Sequence, residues 1–388
     1  MPLSLIVSPV RSWPLDQGNR TRILTLGSML KERGHTVHFL LSCLEGNPSG
    51  AELAVMESQW DLVHSVPYLH SRQQSYADAW GADDWYDPAV DAAISDLTRI
   101  WSYDLCLVNY SWYSKAFEAL PDNVVRVVDT HDAFGDRHKR LYAAGTTPVW
   151  YYTRPDDEGL CLDRADIVLA IQEEEQDWFQ SLSDQPVQTV GHVLPPVFLP
   201  PRERTEGKLR AGYLASANPS NQQSIVTLLR HWFAHPVLAE HVELHIAGPI
   251  CNVLSQVPSF VVKRGYVENV QDFYASVDFS VNPNIGGSGL KIKSVEALSY
   301  GRPIFATAEG MLGICAPVRP YVSPSVPTMV EDIVLALKSD PQLEAARAWA
   351  RKLFMDYRRR HIGAFEDVLA TAQSHPRRET SRFVEMRR

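Results

Sequence analysis

The stretch from Asp278 to Gly313 constrains this chain more than any other, because it must run strand, glycine loop, helix, tight turn and strand in that order. Val277, Phe279 and Val281 are apolar at period two, which predicts a buried strand, and Asn282-Pro283-Asn284 ends it. Gly286, Gly287 and Gly289 then permit backbone angles and close approaches closed to other residues, and a helix is expected to start directly after them. The first amides of such a helix lack intrahelical partners and face whatever occupies the loop, so an anion there gains hydrogen bonds and the favourable end of the helix dipole. Lys291 and Lys293 add positive charge.

Gly289, Lys293, Glu296 and Tyr300 are spaced by four, seven and eleven residues, which places them on one helical face. Helical side chains lean toward the N-terminus, so Glu296 reaches back to a group beside the anion, and paired ribose hydroxyls suit a carboxylate. A nucleoside diphosphate fits both demands. Gly301-Arg302-Pro303 closes the helix, and Ile304 to Thr307 begins the next strand. Neither a completed GxGxxG nor a GxxxxGK[ST] is present, so dinucleotide and P-loop readings fail on spacing.

The segment GSGLKIKSVEALSYGRPIFAT with the preceding SVNPNI resembles the donor-site signature of the two-domain GT-B glycosyltransferases, closest to the family-four retaining type (glycosyl transferases group 1). The resemblance implies two Rossmann-like α/β domains facing a cleft. It assigns the donor diphosphate to Gly287, Ser288 and Gly289 with Lys291 and Lys293, the ribose to Glu296, and counts Leu290 among the donor-binding residues. Many relatives carry an additional glutamate eight residues before this one, and Ser288 stands there instead. In the first half, Val127-Val128-Asp129-Thr130-His131-Asp132 puts polar residues at the carboxyl end of a strand, where open α/β sheets bind ligands. It is similar to a family element facing donor sugar and acceptor, which implies that His131 contacts the sugar and Asp132 orients the acceptor; a histidine that merely satisfies a loop end is the alternative. The resemblance carries Gly18 over as the glycine that approaches the diphosphate, with Arg20 beside it, although an Asn19 cap explains the same loop. Tyr266 matches the element that lies against the base. His131, Asp132 and Lys291 are thus the expected catalytic residues, with no protein-bound metal and no cofactor. The expected partners are a UDP- or GDP-sugar and a saccharide or lipid-linked acceptor.

Composition agrees with this reading. A chain of 388 residues with 45% hydrophobic content fills two or three domains. A net charge of -9 argues against a nucleic-acid binder. Five scattered cysteines suit buried thiols in a reducing compartment, and the N-terminus reads as a strand and not as a secretion signal, so a cytoplasmic protein is expected. The acidic runs Asp156 to Glu158 and Glu173 to Glu175 read as solvated faces. Residues 344 to 388 are arginine-rich, which predicts a solvated helix and a frayed tail, with peripheral membrane contact as the alternative.

Alternating strand-like and helix-like runs predict parallel sheets, and Pro195, Pro196, Pro200 and Pro201 mark a linker. The expected organisation is an acceptor-side domain over 1–198 and a nucleotide-sugar domain over 199–345. Late helices over 346–372 are expected to cross back, before a tail from 373. A hydrolysing nucleotide-sugar epimerase of the same architecture and a non-catalytic partner protein remain alternative functions.

Overall fold

The computed structural model describes residues 1–15, 17–143, 147–203, 207–286, 289–337 and 340–374. It divides into two compact units, Met1–Val193 with the chain from His361 on, and Leu194–Arg360.

Unit one is built on seven strands: β1 (Leu3–Ser8), β2 (Thr36–Cys43), β3 (Leu62–Pro67), β4 (Leu105–Asn109), β5 (Val125–Asp129), β6 (Ile167–Ala170) and β7 (Val187–Thr189). All pair in parallel in the order β3-β2-β1-β4-β5-β6-β7. The central strands are buried along their length, as a sheet covered by helices on both faces requires. Only β3 escapes the sequence pattern: it is an edge strand whose residues are half-buried or exposed, so no apolar run marks it. Between β1 and β4 the strand order reverses direction, which is where such sheets open a ligand crevice at their carboxyl ends.

Unit two repeats the design with β8 (Leu209–Leu214), β9 (Val242–Ala247), β10 (Val261–Gly265), β11 (Phe279–Asn282), β12 (Ile304–Thr307) and β13 (Val322–Ser323), parallel in the order β10-β9-β8-β11-β12-β13. Its reversal lies between β8 and β11. The two similar α/β halves expected from the strand pattern are therefore present. At the C-terminal end the structure has one helix, Asp340–Ser374, where the sequence suggests two. Its residues Phe365, Val368 and Leu369 join the core of unit one, while Leu343 and Ala346 join that of unit two.

The aromatic-rich middle of unit one is mostly core. Trp112 is 0% exposed and its ring lies against those of Trp85, Tyr110, Tyr113, Trp150 and Tyr151 at centroid separations of 5.2 to 6.2 Å. Trp101 is the exception, half-exposed with an edge on His38. Truncating Trp112 to alanine removes the centre of this cluster and should cost about 3–5 kcal/mol. Calorimetry of Trp112→Ala should accordingly show the transition of unit one displaced downward by roughly 10 °C, with no change in the other transition.

Candidate functional site

In unit two the carboxyl ends of β8 and β11 converge on the signature helix, which spans Ile292–Ser299. It starts later than the glycine loop predicts. Gly289 sits at φ +77°, outside right-handed helical space, and Lys291 at ψ 76° is still non-helical, so Lys291 is the capping position. Gly287 and Ser288 lie outside the described residues. Leu290 is buried, and the Lys291 side chain folds back so that Nζ donates to the Gly289 carbonyl at 2.8 Å.

Lys293, half-buried, donates to Asn221 Oδ1, and its ammonium lies 5.1 Å over the ring of Tyr213. Among the described residues no carboxylate pairs with it. Desolvation first, and the charge of Lys291 second, pull its pKa down to about 7. Asn221 enters from the first turn of the helix Pro219–Phe233, where Asn218 caps the backbone by accepting from the Asn221 amide at 2.8 Å. The 217–221 loop thus supplies no cation, as the sequence indicates, but it supplies the neutral acceptor that aims one.

Glu296, one turn after Lys293, is half-buried and accepts a hydrogen bond from Tyr274 Oη at 3.2 Å. Burial pushes its carboxyl up to about 7 against the downward pull of that hydrogen bond. Tyr274 also stacks on Tyr300 at 4.9 Å, so both rings buttress the carboxylate. Below the helix, Asn282 Nδ2 donates to Ser294 Oγ at 2.7 Å and to the Gly310 carbonyl at 3.0 Å, and Ser294 Oγ donates to the same carbonyl at 2.6 Å. A Cβ on Gly310 would lie 2.6 Å from the Asn282 carbonyl oxygen, so only glycine allows this lock between strand end and helix. Asn221, Tyr213, Tyr274, Asn282 and Gly310 carry no local sequence signal, since each acts through a partner remote in the chain. Tyr266 follows β10 and is 76% exposed.

In unit one the corresponding reversal point gathers Asp129, His131, Asn109, Tyr110 and Arg22. Arg22, from the helix Gly18–Glu32, forks onto Asp129, with Nε to Oδ2 at 2.8 Å and Nη2 to Oδ1 at 2.6 Å, both side chains essentially buried. Its Nη1 donates to the Gly191 carbonyl at 3.1 Å. A buried pair of this kind is conditional on both partners, because loss of either leaves an uncompensated charge. His131 adopts φ +63° and stacks on Tyr110, itself at φ +74°, with centroids 4.2 Å apart. Its Nε2 lies 2.9 Å from Asn109 Oδ1 and 3.2 Å from Asp129 Oδ2. Two acceptors there place the proton on Nε2 and leave Nδ1 as the acceptor. Burial lowers the pKa to about 4 despite Asp129, so the ring is neutral near pH 7 and its chemistry is hydrogen bonding.

Asp132 accepts from the Ala133 amide at 3.0 Å and pairs with Arg137 at 3.1 Å. Arg20 pairs with Glu45 at 3.0 Å and donates to the Pro14 carbonyl. Gly18 opens its helix after Gln17, which gives no side-chain cap; Asn19 instead donates to Tyr110 Oη at 2.8 Å, behind the ring that supports His131. The two acidic runs are not wholly solvated. Glu158 is buried and accepts from the Phe134 and Gly135 amides at 2.7 and 2.8 Å and from Trp178 at 2.8 Å, bracing the loop after His131. Glu175 is also buried, which holds its carboxyl well above the usual range, with Asp132 adding to the effect. No group of three or more His, Cys, Asp or Glu is arranged to hold a metal ion among the described residues.

The perturbed pKa values make the site measurable before any ligand is added. Glu296 is raised in the folded state, so its contribution to stability is present below about pH 4.5 and is lost as pH rises through about 7. Lys293 is lowered, so its penalty is present below about pH 7 and is relieved between 7 and 10.5. Glu296→Gln should therefore match the parent near pH 4.5 and exceed it at pH 8 by on the order of 1 kcal/mol, allowing for solvent screening. Urea denaturation at the two pH values measures this difference directly.

Residues 208–338 match the family model Glycosyl transferases group 1. The chain superposes on sucrose-phosphate synthase from Thermosynechococcus elongatus with a TM-score of 0.66 at 15% identity, covering 96% of this chain and 98% of that one. It also superposes on Anabaena HepE in complex with UDP and glucose (TM-score 0.63, 14% identity, 96% and 100% covered). A third similar structure is an S. aureus TarM variant in complex with fondaparinux, α-GlcNAc-glycerol and UDP (TM-score 0.67, 10% identity, 96% and 100% covered). The curated proteins contain no sequence match. At these identities the superpositions establish the fold. The protein has the GT-B fold, two parallel-sheet α/β units, and its residues 208–338 match the model of glycosyl transferases group 1.

Proposed function

We propose that this protein is a retaining glycosyltransferase that takes a sugar from a nucleoside diphosphate donor and delivers it to a carbohydrate or lipid-linked acceptor. The observation that carries the reading is the grouping of Lys291, Lys293 and Glu296 at the reversal point of unit two, with Lys293 aimed by the neutral Asn221 and Glu296 by Tyr274. A lysine desolvated without a carboxylate partner is costly in the free protein, and a diphosphate would supply the missing countercharge. Two lysines and the amides opening the helix would stabilise negative charge as it develops on the leaving diphosphate. Glu296, already within reach of one hydroxyl donor, would take the paired ribose hydroxyls.

Unit one supplies the sugar- and acceptor-facing groups in this reading. His131 stays neutral and offers Nδ1 as a hydrogen-bond acceptor, held by Asp129, Asn109 and Tyr110, while Asp132 orients the acceptor hydroxyl. Gly18, Gly289 and Leu290 contribute backbone and packing near the donor. Arg20 and Tyr266 enter as donor contacts only if the Glu45 pair is exchanged for phosphate and the exposed Tyr266 ring takes the base. The complexes of HepE with UDP and glucose and of TarM with UDP and saccharides support a uridine nucleotide as the first donor to try.

Thermal unfolding with UDP and GDP tests the donor assignment. A nucleotide at a hundred times its dissociation constant should add about 2.7 kcal/mol, and Lys291→Ala or Lys293→Ala should erase most of that gain. Incubation with the matching nucleotide-sugar and a saccharide acceptor then separates the activities: transfer is expected. Release of the nucleoside diphosphate with no acceptor modified would favour the hydrolysing epimerase, and binding with neither outcome would favour a non-catalytic partner.

A further inference from the structure

At the edge of unit two opposite the signature loop, arginines accumulate with few acids to pair them among the described residues. Arg302 follows the αL turn at Gly301 and immediately precedes β12; it is 1% exposed, and its Nε and Nη1 have no hydrogen-bond partner among the described residues. Arg347 and Arg351 stand one helical turn apart on the helix Asp340–Ser374, so they share a face. Arg347 is buried with Nη1 likewise unpartnered, although its Nε pairs with Glu344 at 3.2 Å. Arg351 donates from Nη2 to the Leu199 carbonyl at 3.1 Å and leaves a buried Nε without a partner among the described residues. That Nε packs against the turn itself, 3.0 Å from where a Cβ on Gly301 would sit.

Asp278, at the start of β11, is the buried acid of the cluster, and it is already engaged. It accepts from Arg202 Nη2 at 2.9 Å and from the Arg210 amide at 2.8 Å. Among the described residues, Arg202 thus holds Asp278, Arg347 pairs with the exposed Glu344, and Arg302 feels the charges of Arg347, Arg351 and Asp278. Arg302 feels the excess: burial first and Arg347 second draw its pKa down to about 10, while Asp278 opposes them. A buried guanidinium with unmade hydrogen bonds costs several kcal/mol unless an acceptor arrives, and arginine forks match oxyanions that offer several coplanar or tetrahedral oxygens.

We propose that Arg302, Arg347 and Arg351 form a binding site for a phosphate-type oxyanion, one strand-length (about 13 Å) from the signature loop and separate from it. The phosphoryl oxygens accept from Arg302 Nε and Nη1, Arg347 Nη1 and Arg351 Nε, which have no partner among the described residues. The surplus positive charge favours a dianion over chloride or a monocarboxylate. Arg351 and Arg202 are partly exposed and are the solvent-facing members of the cluster.

The test uses the full-length protein at constant ionic strength set with KCl, titrated with inorganic phosphate and, separately, with phenyl phosphate. The melting temperature should rise saturably with phosphate in the parent and equally in Lys293→Gln, whose donor site is removed. In Arg302→Gln and Arg347→Gln, each checked for folding by circular dichroism, the apparent affinity should fall at least tenfold. An equal response to phenyl phosphate assigns the site to phosphomonoesters, and a response to inorganic phosphate alone assigns it to the free ion. If Arg302→Gln does not fold, Arg347→Gln together with phosphorus NMR line broadening on the parent decides. Stabilisation no greater than that from KCl, or a response lost in Lys293→Gln but retained in Arg302→Gln, would overturn the proposal.

Discussion

The desolvated ammonium of Lys293 is the interaction on which the account of this molecule turns. A lysine at that depth needs either a carboxylate or a ligand, and among the described residues it has only the Asn221 carbonyl oxygen and the face of Tyr213. Contacts on either side hold it there. The Asn282, Ser294 and Gly310 lock fixes the helix against the end of β11, and Asn218 fixes the first turn that carries Asn221. A site arranged this way gives up stability in the free protein, and the proposed anion would restore it on binding, the usual relation between strain and function.

The same logic recurs in unit one with opposite sign. There the charge is fully paired: Arg22 and Asp129 form a buried fork, and Asp129 then serves as one of two acceptors that set the His131 tautomer. Burial keeps that ring neutral, so it positions groups without carrying charge. The left-handed conformations of Tyr110 and His131 bring the two rings into stacking, a local strain offset by the packing around them. In each unit these residues lie at the carboxyl ends of the strands where the sheet order reverses, so the placement follows from topology before any side chain is considered.

Much of the frame is legible in the chain itself. The buried strands β1, β4, β8, β9 and β12 follow from apolar runs bounded by turn residues, and the two-unit architecture follows from their alternation with helices. Lys293 and Glu296 are legible because helical periodicity fixes their relation within a few residues. What stays hidden depends on contacts far apart in sequence. Asn221 meets Lys293 across 72 positions and Arg22 meets Asp129 across 107, and no local pattern announces either. The helix starts about a turn later than the spacing predicts, because Gly289 adopts a positive φ that spacing alone does not reveal. Glu158 and Glu175 depart from expectation for a related reason: a run of acids looks solvated until the fold turns one member of it inward.

A crystal structure of the protein with UDP tests the central claim most directly. The account predicts diphosphate oxygens within hydrogen-bonding distance of Lys291 Nζ and Lys293 Nζ, with the Asn221 contact to Lys293 lengthened and the ribose hydroxyls on Glu296. A nucleotide bound elsewhere, or a diphosphate that touches neither lysine while Lys293 keeps its hold on Asn221, would contradict it.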